Sequence, residues 1–435
     1  MANVDADVLI IGGGIGGLTL AAIVRRLGLS CKVLERTEVL SPVGAGISLA
    51  PNALALLDQI GIYQDILKTA QPLKTIQITR NDTLWQKLDF STCEATFGYP
   101  VLSAERHNFH RLLYNAAGGE ETVILNSKVT NIIDDPNSSV VTVVVDGGKE
   151  LRGRLVIGAD GIRSVTRRIL AGSADDKAAN TIKFTGRVHM SGITAPLKNC
   201  GKEELGVANW LLYDDSILTT WPCIENRQWF IGVMKADSAP RDRSVWAGTT
   251  PDMIKDVYGE KFHPFAESKK FSEIVDQSER VLASNVFAEV EFPSMSKGRV
   301  ALVGDAAHSM TSFFGQGACQ AIEDAAVLGN LLNEWVVAPK ADFNKFTHKD
   351  LSLMLYEYSE RRKQRVQDLA KFSADFARLH TANLPFGLGP LVRKLVYSYV
   401  PSWVWIWYLR WLYGVQPTVA GLKDLSEKKA GSTTN

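Results

Sequence analysis

Residues 7–18 read Asp7-Val8-Leu9-Ile10-Ile11-Gly12-Gly13-Gly14-Ile15-Gly16-Gly17-Leu18. Asp7 to Ile11 is a short apolar run, the pattern of a buried strand. Leu18 to Leu27 has helical spacing, and Gly28 stops it. Cys31 to Leu34 is a second apolar run, ending at Glu35. Strand, glycine turn, helix and strand in that order make a βαβ unit with a parallel sheet. Within it, Gly12-x-Gly14-x-x-Gly17 has the spacing of a dinucleotide cradle. The first glycine permits the tight turn, the second lets a pyrophosphate approach the backbone, and the third lets helix and strand pack closely. The helix N-terminus offers unpaired N–H groups to phosphate. Glu35 is placed to accept hydrogen bonds from ribose hydroxyls. The motif alone does not separate NAD from FAD.

Outward from this unit, Pro51 to Ile60 and Arg106 to Ala117 read as helices, and residues 123–158 read as sheet. Val140 to Val145 and Leu151 to Ile157 form a hairpin around the Asp146-Gly147-Gly148 turn. From about 176 to 290, short apolar runs alternate with polar turns, which predicts a separate, mainly β region. A buried-strand pattern returns at Arg299 to Val303. It is followed by helices over about 317–332 and 353–377. The 435 residues are 46% hydrophobic and 22% charged, a globular balance that excludes disordered and fibrous classes. A net charge of +1 gives no electrostatic case for a nucleic-acid partner. The cysteines are scattered with no CxxC pair, so neither a zinc site nor a disulfide framework is expected, and no metal is assigned. Asp5 and Asp7 stand where a secretory signal would be basic, so a cytoplasmic protein is expected.

Two further segments carry a family resemblance. Val156-Ile157-Gly158-Ala159-Asp160-Gly161, with Ser164 and Arg168, is similar to the DG motif of flavoprotein monooxygenases. Val303-Gly304-Asp305-Ala306-Ala307-His308, then Gly315-Gln316-Gly317 and Ala321-Ile322-Glu323-Asp324, is similar to their GD motif. Arg106 with Phe109 and Leu113, and Gly44-Ala45-Gly46-Ile47 with Pro51-Asn52, match two more segments. The chain thus resembles the single-component FAD-dependent aromatic hydroxylases and epoxidases, including salicylate-hydroxylase-like enzymes, over about residues 5–380.

The resemblance implies FAD as cofactor, NADPH or NADH as reductant, and transfer of oxygen from O2 through a flavin C4a-hydroperoxide to a small organic substrate. Gly12, Gly14, Gly17, Glu35, Arg36, Gly46, Arg106, Asp160, Asp305, Gly315, Gly317 and Ala318 are the expected cofactor contacts. Asp305, after an apolar strand, can accept from a ribityl hydroxyl. The loop after His308 carries Ser309 and Ser312 where the family usually has prolines, and Ser312 and Phe313 are expected beside the substrate. Where the family often has Trp-Arg-Gly, this chain has Met190-Ser191-Gly192, preceded by Arg187 and His189 on one strand face. Arg187 and His189 are the catalytic candidates. For Arg187 the competing reading is a salt-bridged strand residue, and for His189 a hydrogen-bonded structural histidine. Tyr213 and Trp221 are substrate candidates, or plain core. His308 is a catalytic candidate or a packing residue, and the run Arg361-Arg362-Lys363-x-Arg365 reads as a solvated helix face.

The expected fold is α/β. A Rossmann-like FAD-binding domain (1–175 and 291–380) is interleaved with a mainly β substrate domain (176–290), and C-terminal helices and a polar tail fill 381–435. Residues 395–413 hold four of the ten tryptophans. They read either as a packed cap, on the sheet domain or on a second copy in a homodimer, or as a peripheral membrane contact. Hydroxylation and epoxidation both stay open. The alternatives to a monooxygenase are a geranylgeranyl-reductase-like flavoprotein and a non-oxygenating flavin- or isoprenoid-binding protein.

Overall fold

Ala6–Ile11 forms the middle strand of an eight-stranded sheet and is buried almost throughout, as its unbroken apolar run requires. It pairs in parallel with Cys31–Leu34 on one side and with Glu150–Gly158 on the other. The path continues to Val123–Ile124 beyond Cys31–Leu34, and to Val300–Leu302 beyond Glu150–Gly158. Strand order therefore reverses beside Ala6–Ile11, and a crevice opens at the carboxyl ends there. The structure, a computed structural model, describes residues 4–42, 44–172, 182–198, 205–214, 216–236, 248–289, 294–310, 315–380 and 388–422.

Two helices start at that crevice. Ile15–Arg26 follows the glycine turn, and Gln316–Leu332 follows Gly315. They cross where Gly16 meets Ala321; a Cβ on Gly16 would lie 3.1 Å from the Ala321 methyl.

The second sheet has seven strands in the order Ser278–Glu289, Ile182–Thr194, Gln228–Lys235, Ser216–Pro222, Val207–Leu212, Thr75–Arg80, Thr83–Asp89. The last two lie within the 1–175 segment, yet their hairpin extends this sheet through parallel pairing of Thr75–Arg80 with Val207–Leu212. Alternation of side chains gives the sheet two different faces. One is covered by the helices Pro251–Tyr258 and Ser272–Asp276, with Met190, Phe230, Tyr258 and Phe271 between. The other turns toward the nucleotide-binding part and carries Ile193, Trp221 and Trp229. A small sheet of Gly46–Leu49, Leu102–Glu105 and Ala70–Pro72 lies at this junction, and Trp229 Nε1 donates to Ser103 Oγ (2.9 Å).

The 33-residue helix His348–His380 leads to three short helices, Gly389–Tyr399, Ser402–Tyr408 and Arg410–Tyr413. These close the edge strand Thr83–Asp89: Gln86 Nε2 donates to Val400 O (2.6 Å) and Ser402 Oγ to Lys87 O (3.2 Å). Covering an edge strand removes a template for unwanted pairing.

Candidate active site

The glycine turn is shaped by what a side chain would strike. At Gly12, with φ +106°, a Cβ would lie 2.4 Å from Ala159 O; at Gly17 it would lie 2.1 Å from Gly12 O. Both contacts are with backbone and cannot yield. At Gly14, the residue before the helix, the nearest atom to a Cβ would be 4.0 Å away, so the space over this helix N-terminus is open. Glu35 closes the turn from the next strand: Oε2 accepts from Gly13 N–H (2.7 Å) and Oε1 from Thr37 N–H (3.0 Å). Arg36 beside it is exposed. His110 Nε2 meets Gly13 O at 2.7 Å, a contact the sequence reading missed.

The second helix start mirrors the first. Gly315, with φ +67°, packs where a Cβ would lie 2.9 Å from Ser48 Cβ, and no atom lies within 4 Å of a Cβ on Gly317. Gly317 and Ala318 thus present the first turn of a long helix to open space, where its dipole favours negative charge. Asp305 follows the buried strand Val300–Leu302 and Gly304, at the start of the turn Asp305–His308. Burial raises its pKa, while His308, Arg106 and Arg167 oppose the rise. Arg106 is half-buried and lies along Gly44, 2.9 Å from where a Cβ would be; burial lowers its pKa and Asp305 works against that. Asn52 Oδ1 is buried with no hydrogen-bond partner among the described residues.

These features fit a flavin dinucleotide. There is an open phosphate-binding turn, a second helix N-terminus, a carboxylate and a guanidinium close enough to act on each other, and a buried acceptor still to be satisfied. FAD, held by these residues, would supply the redox and oxygen chemistry.

The motif around Asp160 is also tied into the chain itself. Asp160 Oδ1 accepts from Ser164 Oγ, and Oδ2 from Thr166 N–H (3.0 Å) and Oγ1 (3.1 Å), so this carboxylate fixes the start of the helix Val165–Ala171. Arg168 is exposed; its neighbour Arg167 is the buried one, donating to Ile162 O (2.8 Å) and Ala306 O (3.3 Å) and so tying the two motifs together.

Beneath the Gly304–His308 turn lies a buried ion-pair network. Asp324 accepts from Gly304 N–H (2.8 Å), meets His308 Nε2 (2.6 Å) and accepts from Arg362 Nε (2.6 Å). Burial alone would raise its pKa, but His308 and Arg362 outweigh it and hold Asp324 at about 2. Glu323 accepts from Arg362 (2.8 Å), Arg365 (3.1 Å) and Asn52 (2.7 Å). The expected solvated face is therefore corrected at two positions: Arg362 is only 3% exposed, because two carboxylates on consecutive residues draw it inward, and Arg365 follows it. The adjacent acids Glu323 and Asp324 were the available signal. His308 packs and orients within this network.

The wall opposite is the second sheet. Register places Arg187, His189, Ser191 and Ile193 opposite Lys235, Val233, Ile231 and Trp229, all on the face that carries Trp221. Trp221 and Trp229 stack at 5.4 Å with 7° between planes. Gly46 is small because a Cβ there would fall 2.0 Å from the Trp229 ring, which brings the wall onto the flavin-side loop. Arg187 is half-buried and lies six residues from Ile193, about 20 Å along the strand. It lines a recess with Tyr213, Asp214, Ser216, Ile217 and Lys235. The Tyr213 ring belongs to the opposite face: it packs with Met190 and Phe230, and its hydroxyl donates to Phe262 O (2.8 Å). His189 meets Ser284 Oγ at 3.0 Å, and burial lowers its pKa to about 4, so it is neutral at pH 7. Ser312 and Phe313 lie outside the described residues.

A family model described as an FAD binding domain matches residues 5–373. The FAD-dependent monooxygenase pynG of Aspergillus niger is 49% identical over 98% of this chain and 99% of its own length. The FAD-dependent monooxygenase pytG of Aspergillus terreus is 53% identical over 60% of this chain and 80% of its own. Among solved structures, Klebsiella pneumoniae HpxO complexed with FAD and uric acid superposes with a TM-score of 0.77 at 21% identity, covering 94% of this chain and 97% of that one. A salicylate hydroxylase substrate complex gives 0.71 at 20% identity, covering 94% and 95%. The chain belongs to the FAD-dependent monooxygenase family. It is an FAD-binding flavoprotein enzyme that acts on a small molecule.

Proposed function

We propose that this monooxygenase uses NADPH or NADH and O2 to hydroxylate or epoxidise an apolar, ring-bearing or unsaturated small molecule lying along the second sheet, beside its contact with the Gly44–Gly46 loop. The observation that carries this reading is the stacked Trp221–Trp229 pair pressed onto Gly46, an apolar wall beside the expected flavin edge. A stacked indole pair favours flat or unsaturated carbon skeletons and excludes water from the reacting face.

In this reading, the glycine turn and the two helix N-termini bind the dinucleotide, and Arg106 and Asp305 orient it. Arg187 stands too far along the strand from Trp229 to share one small ring with it. Its role is to hold a polar group at the far end of an extended substrate. His189, neutral at pH 7, keeps its imidazole against Ser284 and shapes the wall between them. The chain supplies binding, orientation and exclusion of water, while the cofactor carries the redox chemistry.

The test is turnover under 18O2 with NADPH or NADH and a panel of apolar aromatic and alkene substrates. A product heavier by a single 18O atom is expected. Oxygen consumption that ends only in hydrogen peroxide across the panel, or product oxygen drawn from water, would overturn the reading.

A further inference from the structure

The outer surface of the C-terminal helices has the wrong composition for a face that meets only water. On Gly389–Tyr399 the inward stripe is Gly389, Arg393 and Tyr397, all buried. The outward stripe is Leu391, Leu395 and Tyr399, at helical spacing, with Leu388 just before it. The next helix repeats the division. Trp405 and Ile406 are buried, whereas Trp403 and Trp407, one turn apart, point outward with Tyr408. Tyr399 and Trp403 are each 70% exposed and Trp407 is 64% exposed, values that rings seeking only their own core would not show. The inner stripes already anchor the segment: Tyr397 and Trp405 stack at 5.7 Å, and Arg365 donates to Trp411 O (2.7 Å). The outer stripe is therefore surplus to folding. A contiguous apolar patch of this kind marks an interaction surface.

Three observations select the occupant. Large aromatics dominate the patch, and tryptophan and tyrosine favour the headgroup level of a bilayer, where an apolar ring and a polar edge are both satisfied. Residues 388–422 contain no Asp or Glu but hold Arg393, Lys394 and Arg410, in a chain whose overall charge is only +1. Lys394 and Arg410 are exposed, and neither is in an ion pair among the described residues, so the patch is flanked by cations available to anionic headgroups. Finally, no helix of the described residues is long and apolar enough to cross a membrane. Gly389–Tyr399 has 11 residues and reaches about 17 Å, roughly half a hydrocarbon core. Such a segment lies in the interface plane.

We propose that the two outward stripes of Gly389–Tyr399 and Ser402–Tyr408 form a docking face that seats this enzyme on an anionic lipid bilayer without spanning it. The proposal stands on this surface alone and does not depend on which substrate is oxygenated.

Flotation of the full-length, FAD-loaded enzyme with vesicles of phosphatidylcholine containing 30% phosphatidylserine tests it. The wild type floats with the vesicles, and brominated phosphatidylcholine quenches part of its tryptophan emission. The double variant Trp403→Ser with Trp407→Ser partitions at least tenfold less and loses that quenching. The double variant Lys394→Glu with Arg410→Glu loses several-fold on phosphatidylserine vesicles and little on pure phosphatidylcholine. If the tryptophan variant fails to retain FAD, Leu395→Ser with Tyr399→Ser replaces it, with the same expectation. Wild-type enzyme that stays with the soluble fraction overturns the proposal, as does an outward-stripe variant that floats like the wild type. A wild-type dimer that becomes monomeric in the tryptophan variant, with no vesicle binding by either, assigns the face to a second copy instead. Vesicle binding together with oxygen consumption that ends only in hydrogen peroxide would sink the oxygenase reading and leave this one standing.

Discussion

At Gly17 a single methyl group would press 2.1 Å from a backbone oxygen, whereas across the crevice Trp221 is half-buried, with its ring stacked on a neighbour. The nucleotide cradle is made of backbone. Its shape is set by missing side chains and held from beneath by charges that are largely buried. The second-sheet wall is made of side chains standing on a regular ladder, and its shape is set by which face each one takes. The first design fixes one ligand and admits almost no substitution. The second can change its lining while the strands stay in register, as suits the part of an enzyme that distinguishes substrates.

The largest effects should fall in the cradle. Gly17→Val should destabilise the protein by more than about 4 kcal/mol, since neither helix nor strand can retreat without opening the core. Gly14→Val sharpens the contrast. With nothing closer than 4.0 Å, it should cost the fold about 1 kcal/mol or less, yet weaken FAD binding by about 3 kcal/mol by filling the phosphate space. Thermal melts of the apo-protein and FAD titration separate the two, and equal melting losses would show that the space at Gly14 is not reserved.

Next in size is Arg362→Met. Glu323 and Asp324 would keep buried charge with one cation removed, a loss of about 3–5 kcal/mol. Denaturant unfolding with FAD present and absent measures it, and a change of less than about 1 kcal/mol, the worth of an exposed ion pair, would reduce Arg362 to a bystander.

The two regions should also fail at different pH. His263, on the helix-covered side of the second sheet, is held at about 3 by burial, and His189 at about 4. His263 Nδ1 accepts from Phe265 N–H (3.2 Å), so protonation there would break that bond. The unfolded chain takes up these protons near pH 6.5, and the folded chain resists them until much lower pH. Native stability should thus fall as pH drops from about 6.5 toward 4, beginning in the second sheet. Asp324 acts in the same direction over a lower window: its depressed pKa stabilises the fold above about pH 4, and that contribution, about 2 kcal/mol, is lost as pH falls toward 2. Hydrogen exchange at pH 5 should show opening around Thr220 and Phe265 before Gly304; the reverse order would break the comparison.

Much of the cradle was readable because backbone constraints leave marks in sequence. A strand that ends in Gly12, a helix that begins after Gly14 and a strand that stops at Glu35 leave one arrangement, and the helices over 51–59 and 106–116 followed from apolar spacing. The wall was harder to read. Tyr213 and Trp221 look equivalent in sequence, but strand pairing sends one ring to the helices Pro251–Tyr258 and Ser272–Asp276 and the other toward Gly46. The hairpin Thr75–Asp89 joins a sheet whose next strand lies more than a hundred residues on, a pairing no local pattern announces. Arg362 looked like a surface cation because its partners come from another helix.

The smallest expected effect is that of Arg187→Ala. It should leave FAD binding and flavin reduction unchanged and lower product formed per NAD(P)H consumed by a few-fold, with the deficit appearing as hydrogen peroxide. Unchanged coupling across the substrate panel would make Arg187 structural.

The division between cradle and wall is tested most directly by Trp221→Ala, measured for bound FAD and for product per NAD(P)H in the same preparation. The account predicts one FAD per chain, as in the wild type, with coupling reduced about tenfold as the lost stacking surface costs roughly 1–2 kcal/mol of substrate orientation. Loss of FAD with the indole, or full coupling without it, would contradict the account.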